Sequence, residues 1–274
     1  MTIRVLAPPR WHPGAIAGHL KALADYGHLL ETLSRHRINV RYKQSILGGL
    51  WAIVQPVAMM VIYTAVFSRL APVPSDGVPY ALFAYAGILP WTFVATAVAS
   101  GTTSLVAHPQ LVTKVYFPRE ILPLSYIVAA AVDLLIGSTA LAALLVYFHI
   151  PPSASMLAVV PLVILTAAFA LACALVFATI HVHVRDLGVA LPVLLQLWMF
   201  ASPVLYPLRV VPEGWRRWYD LNPMAGLIDS FRSAVLGLPI NVATLEAAAA
   251  VTVVALPLAY IVFKHVDATV ADVV

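Results

Sequence analysis

Arg41-Tyr42-Lys43-Gln44-Ser45-Ile46-Leu47-Gly48-Gly49-Leu50-Trp51 leads into an uncharged run that continues to Ser68. A basic amphipathic segment is thereby joined directly to an apolar one. An α-helix rises about 1.5 Å per residue, so roughly 20 apolar residues cross the hydrocarbon core of a bilayer. Leu50 to Leu70 meets that length with only Arg69 charged near its end. The stretch marks where a membrane begins, and its cations mark the cytoplasmic side.

Composition points the same way. Hydrophobic residues make up 62% of the 274 and charged residues only 10%, against about 25% charged in ordinary globular domains. Too few charged side chains are present to cover a soluble surface of this size, so the chain reads as an all-α polytopic membrane protein. The net charge of +4 sits beside the apolar segments rather than on one soluble face, and nucleic acid is not an expected partner. With one cysteine, Cys173, inside a predicted span, the chain can form neither an internal disulfide nor a cysteine-built metal cluster; that thiol reads as a small core residue.

Lysine and arginine wall off the spans, because either at the bilayer centre costs about 2.5 to 3.5 kcal/mol on insertion scales. Six transmembrane helices are expected, over about 50–70, 80–106, 121–148, 156–180, 187–206 and 247–263. Residues 1–22 read as an N-terminal tail, 23–47 as an amphipathic interface helix and 48–274 as the transmembrane domain. Ala71-Pro-Val-Pro-Ser-Asp-Gly and His149-Ile-Pro-Pro-Ser-Ala-Ser are turns, and His108 to Pro123 is a short polar excursion. Gly214, Asn222, Pro223 and Gly226 break Val210 to Gly237 into two short external helices that re-enter from the outer face, the second starting near Asn222-Pro223.

An even number of spans puts both termini on one side. The first 47 residues hold Arg4, Arg10, Lys21, Arg35, Arg37, Arg41 and Lys43, whereas the loops 71–79 and 149–155 hold no lysine or arginine, so both termini are expected in the cytoplasm. The exception is Pro207 to Thr244, where Glu213, Asp220 and Asp229 partly offset Arg209, Arg216, Arg217 and Arg232. No cleavable signal peptide is expected, since Pro8-Pro9 and Pro13 interrupt the start. No repeat or inverted halves are legible.

Tyr26, Leu33, Val40 and Leu47 recur every seven residues, with charges on the other faces. Such a helix anchors to anionic lipid, or also docks a cytoplasmic partner and passes movement into the first span at the Leu47-Gly48-Gly49 bend. In the excursion, Tyr116 and Phe117 either insert into a partner's groove or mark the membrane interface while Arg119 meets lipid phosphate. Asp133, well inside a span, has no acid or lysine on the same span to pair with, and reads as a local hydrogen-bond or subunit contact rather than a proton carrier. His181 and His183 without further ligands are a weak metal signal, and no metal site is expected. Neither a Gly-x-Ser-x-Gly elbow nor a His-Glu-x-x-His motif occurs, so no catalytic residue is assigned. A phosphate loop is also missing, so any ATP must bind another polypeptide.

Taken together, Arg41-Tyr42-Lys43-x-Ser45-x-Leu47-Gly48-x-Leu50-Trp51-x-x-x-x-Pro56, Lys114-Val-Tyr-Phe-Pro-Arg119-Glu120 and Leu221-Asn222-Pro223-Met224 resemble the membrane subunit of ABC-2 type polysaccharide exporters, over about Tyr26 to the end. The likeness is strongest toward O-antigen, capsule and teichoic acid exporters, and Phe263-Lys264 and Ala271-Asp272-Val273 are similar to that family's closing pattern. The resemblance implies a homodimer in a bacterial inner membrane, bound to two copies of a separate ATPase that holds ATP and Mg. Its cargo would be polysaccharide on an undecaprenyl pyrophosphate carrier. On this model Arg35, Arg37, Arg41, Lys43, Lys114, Tyr116, Phe117, Arg119 and Glu120 contact the ATPases, and Leu47 and Gly48 border the cytosolic entrance. Tyr63, Phe67, Trp198, Phe200 and Tyr206 line the sugar path, where pyranose faces stack weakly on rings and slide. The alternatives are an ABC-2 exporter of a smaller lipid or drug, a membrane-embedded glycan-modifying enzyme and a proton-coupled carrier.

Overall fold

The computed structural model describes residues 25–43, 45–70 and 72–273, and among these the regular structure is all helical. The tail read over residues 1–22 and the side chain of Arg69 lie outside the described residues. Helix α1 spans Gly27–Lys43. A 3-10 turn at Gly48–Leu50 leads into α2, Trp51–Ala65, which ends in a π turn at Val66–Leu70. There follow α3, Tyr80–Thr103; the short α4, Pro109–Lys114; α5, Ile121–Tyr147; α6, Val159–His183; and α7, Leu187–Phe200. The chain closes with α8, Glu213–Asp220; α9, Pro223–Leu236; and α10, Val242–Val273.

Among the described residues, five stretches are long and apolar enough to cross a membrane: Gly48–Ser68, Tyr80–Thr103, Ile121–Tyr147, Ala154–His183 and Val242–Asp267. The protein is therefore multi-pass. Helix α7 covers part of the expected fifth span, and its 14 residues rise only about 21 Å, short of a hydrocarbon core of about 30 Å. It stops where Ala201 to Tyr206 turn, six residues before the expected end. The second span also ends early, in a turn in which the Ala107 N–H donates to the Thr103 carbonyl at 2.9 Å. The last helix is longer than 247–263 at both ends, because Asn241 receives the Thr244 N–H at its start and its charges at Lys264 and Asp267 are paired.

Helix α3 is the axis. Within the chain 78% of its most apolar window is buried, against 11% for the Gly48–Ser68 span. Helices α2, α5, α6, α7 and α9 all pack on it, α10 packs on α6 and α9, and α1 lies along α5. Small residues permit this crowding, since without a hydrophobic drive between helices in lipid the backbones must approach closely. Gly87 is among the tightest cases: a Cβ there would run into the Val204 carbonyl oxygen and the Arg232 guanidinium.

Two short helices form before the last span, parted at Asn222-Pro223 as expected, whereas Gly214 and Gly226, expected as breaks, lie inside α8 and α9. Asn222 caps α9 by accepting the Met224 N–H at 3.2 Å, Pro223 occupies the first turn, and Gly237 ends it at φ 69°. Yet α9 is no loose cover, since nearly every residue of it is buried against α3, α6 and α10.

Candidate functional site

The seven-residue register expected for α1 is split by its actual packing. Tyr26 and Leu33 join Leu29 and Leu30 against a buried cluster that includes Leu105, Val112, Phe117 and Phe263, while Val40 and Leu47 are exposed. An α-helix drifts by about 20° per heptad, so a straight helix keeps contact along a 3.6-residue stripe instead. That stripe runs Tyr26, Leu30, Leu33, Arg37, Arg41, and its last two members are cations facing α5.

Arg37 donates from Nε to Ser125 Oγ at 2.9 Å and from Nη1 to Tyr126 Oη at 2.7 Å, and its guanidinium lies over the Tyr126 ring at 3.7 Å. Its Nη1 also meets His108 Nε2 at 3.2 Å. The His108 Nδ1 lies 3.0 Å from the Ser104 carbonyl, so the neutral ring with a proton on Nδ1 satisfies both contacts. Burial lowers the His108 pKa in keeping with that form, and the charges of Arg37 and His36 add to it against the Ser104 carbonyl.

One turn on, Arg41 and Tyr42 both bond the Asp133 carboxylate. Asp133 therefore has its partners on α1, more than 90 residues away in sequence. Burial first, and then the adjacent carboxylate, push the Tyr42 phenol up to about 12, so it stays protonated and donates. Beside Asp133 a cavity of about 50 Å³ reaches Gln55 on α2 and Thr92 and Thr96 on α3. That volume suits one or two waters. The acid is thus a junction of the interface helix and three spans.

A second set of pairs fastens the excursion to α10. Arg119 bonds Asp267 Oδ1 at 3.0 Å, and Glu120 accepts from Lys264 Nζ at 2.6 Å and Tyr260 Oη at 3.0 Å. The Glu120 and Lys264 side chains are only 6% and 8% exposed, so each ion depends on the other for its solvation. Phe117 is buried in the adjoining cluster and is not presented to a groove on another protein; Tyr116 is 60% exposed. Of the nine residues expected to contact ATPases, Arg37, Arg41, Phe117, Arg119 and Glu120 are engaged inside the chain, whereas Arg35, Lys43, Lys114 and Tyr116 face outward.

Gly48 adopts φ +51°, a left-handed conformation that glycine takes without steric cost, and Trp51 Nε1 donates to Ser45 Oγ at 3.0 Å across the bend. Leu47 is exposed beside it. The ring of Tyr63 stacks on Phe67 at 6.1 Å, and Phe67 in turn meets Tyr80. Trp198 packs edge-on to Trp91 and Phe169 and donates to Asn222 Oδ1, Tyr206 donates to the Phe200 carbonyl, and Phe200 is exposed. Among the described residues no ring contact joins the Tyr63–Phe67 pair to the Trp198 group.

Sequence reasoning missed Tyr42, His108, Ser125, Tyr126, Lys264 and Asp267. The four-residue spacing of Arg37 and Arg41 was the available signal, because it sets two cations on one helix face. Arg232, counted only among the charges of the external segment Pro207 to Thr244, is buried. It is 2% exposed, lies over the Phe83 ring at 3.9 Å, and donates to the Phe83, Pro203 and Val204 carbonyls. Burial pulls its guanidinium down to about 10, which leaves it protonated at neutral pH.

A family model described as ABC-2 type transporter matches residues 28–236. The chain is 32% identical over 216 residues to the O-antigen export system permease protein RfbA of Myxococcus xanthus, covering 78% of this chain and 82% of that one. An RfbA of Klebsiella pneumoniae is 28% identical over 81% of this chain and 86% of its own. The polysialic acid transport protein KpsM of Escherichia coli is 23% identical over 76% and 81%.

Proposed function

The chain belongs to the ABC-2 type transporter membrane family, and from that premise we propose that it is the permease subunit of an ATP-driven exporter of lipid-linked, O-antigen-like polysaccharide. The likeness to O-antigen export permeases over more than three quarters of the chain carries the reading. Two copies form the conduit in the bacterial inner membrane, with both termini cytoplasmic, and two copies of a separate ATPase bind ATP and Mg. The glycan travels on an undecaprenyl pyrophosphate carrier. Helix α7 with the turn that follows makes the fifth of six spans and α10 the sixth, and α8 and α9 return from the outer face. The arginine exception to the charge rule weakens in support of this orientation: Arg232 is spent inside the fold and Arg209 pairs with Asp76 at 2.5 Å.

The physical task is to bias a long hydrophilic polymer across hydrocarbon. ATP binding does so only by favouring one membrane conformation over another, so the ATPase must hold something rigidly tied to the spans. Its docking surface is the outward set Arg35, Lys43, Lys114 and Tyr116. Movement of α1 reaches α5 through Arg37 and Arg41, and α2 through the Gly48 bend. Leu47 and Gly48 border the entrance, and Tyr63, Phe67, Trp198, Phe200 and Tyr206 are the candidate stacking surfaces.

Gentle affinity purification from native membranes, with mass spectrometry of proteins and lipids, tests this. An equimolar ATP-binding subunit together with polyprenyl-linked glycan is expected. An ATPase with a small lipid or drug as cargo would replace the polysaccharide assignment, and a stable complex without any ATPase would sink the exporter reading.

A further inference from the structure

At the end of the bundle opposite α1, a cavity of about 590 Å³ lies between the 72–79 turn, α8, α9 and the start of α10. Its size is that of a pocket for a small molecule or a short polymer segment. The Asp229 carboxylate, half-buried on α9, opens into it and makes no hydrogen bond or ion pair among the described residues. Ser233 lies one turn further along α9, and its hydroxyl is likewise without a hydrogen bond among them. Across the cavity stand Asp220, the Arg216 guanidinium, held through Nε on the Val211 carbonyl, and Asn241, whose amide nitrogen has no partner among the described residues. At the rim the Asp76–Arg209 pair closes one side.

The lining therefore offers unused donors and acceptors of both signs within one concave space. An anion would meet three carboxylates, and a cation would meet two guanidiniums. A neutral polyhydroxylated ligand satisfies both sets, because each hydroxyl donates and accepts. Helix α8 is built to hold this arrangement. Arg216 and Asp220, four residues apart, share the face that lines the cavity, while Trp215 and Trp218 project from the opposite face at 64% and 68% exposure. Indoles so placed suit the water–lipid boundary, which would pin α8 at the outer membrane surface with its polar face toward the cavity.

Resting on the exporter reading above, we propose that this cavity is a saccharide-binding subsite that holds a short stretch of the emerging glycan. Asp229, Asp220 and Asn241 take the sugar hydroxyls and Arg216 donates from the rim. The subsite would favour forward movement by holding exported units on the outer side while the chain behind them advances.

The test uses the permease–ATPase complex in nanodiscs and soluble oligosaccharides released by mild acid from the lipid-linked polymer that co-purifies with it. Saturation-transfer NMR is expected to show sugar resonances, and titration calorimetry to give a Kd that rises about tenfold or more with Asp229→Asn and with Asn241→Ala. Trp215→Ser, on the opposite face of α8, is expected to leave that Kd unchanged. Circular dichroism checks that each variant is folded. A complex that carries lipid-linked glycan but binds no soluble fragment, or binds it equally in wild type and both cavity variants, overturns the subsite while leaving the exporter reading intact. If no glycan co-purifies, the premise fails and the subsite with it.

Discussion

Asp133 shows how much one partly buried charge constrains its surroundings. A carboxylate in a span needs partners, and here they come from Arg41 and Tyr42 on a helix outside the spans. In a double-mutant cycle, Asp133→Asn and Arg41→Ala are expected to show an interaction energy of about 1 to 3 kcal/mol. Both are also expected to lower transport-linked ATPase stimulation, whereas additive effects on stability would mean that the two side chains are not coupled. Tyr116 and Phe117, adjacent in sequence, separate by the same logic of burial. Phe117→Ala empties a cluster site and should cost about 3 kcal/mol or more, seen as a fall in thermal midpoint. Tyr116→Ala, at an exposed position, should keep that midpoint and weaken ATPase binding; a loss of stability there would show that its ring packs within the chain.

At the scale of elements, one of the contacts that hold α1 in place, Arg37 to His108, requires a neutral imidazole. The folded state lowers the pKa of His108, so the unfolded chain binds more protons at mildly acid pH. The stabilisation is then complete above the ordinary histidine value of about 6.5 and is lost as pH falls through the lowered folded value. Protection factors along α1, taken relative to the intrinsic exchange rate at each pH, should therefore fall between pH 7.5 and 5. In His108→Gln, which keeps hydrogen bonding but cannot titrate, that loss of protection should be smaller; an identical pH profile would exclude His108 as its source. The elements themselves were largely legible. Asn222-Pro223 and Gly237 announced the ends of α9, and the charge walls placed most spans within a few residues. Helix α7 was overextended because hydropathy stays high through Ala201 to Tyr206 although the backbone turns there. Helix α10 was cut short because Lys264 and Asp267 read as an end, whereas pairing with Glu120 and Arg119 carries the helix onward.

For the whole molecule, burial is graded from α3 at the centre to α2 at the edge. Amide exchange in the isolated chain should follow that order, α3 slowest, with local openings where packing is least. Protection gained by α2 in the assembly would support the proposed homodimer with α2 as its contact surface, and unchanged exchange there would count against a contact through α2. The sequence alone determined the solvent in which this chain folds, the order of its spans, the amphipathic entry helix and its glycine bend, because each is a sum over neighbouring residues of transfer energy or backbone preference. Only the tertiary structure decided that Arg37 and Arg41 face α5, that Phe117 and Arg232 lie inside, and that Asp229 opens into a cavity. Those placements depend on which helices meet, and a contact between residues 41 and 133, or between 83 and 232, leaves no periodic trace in a single chain.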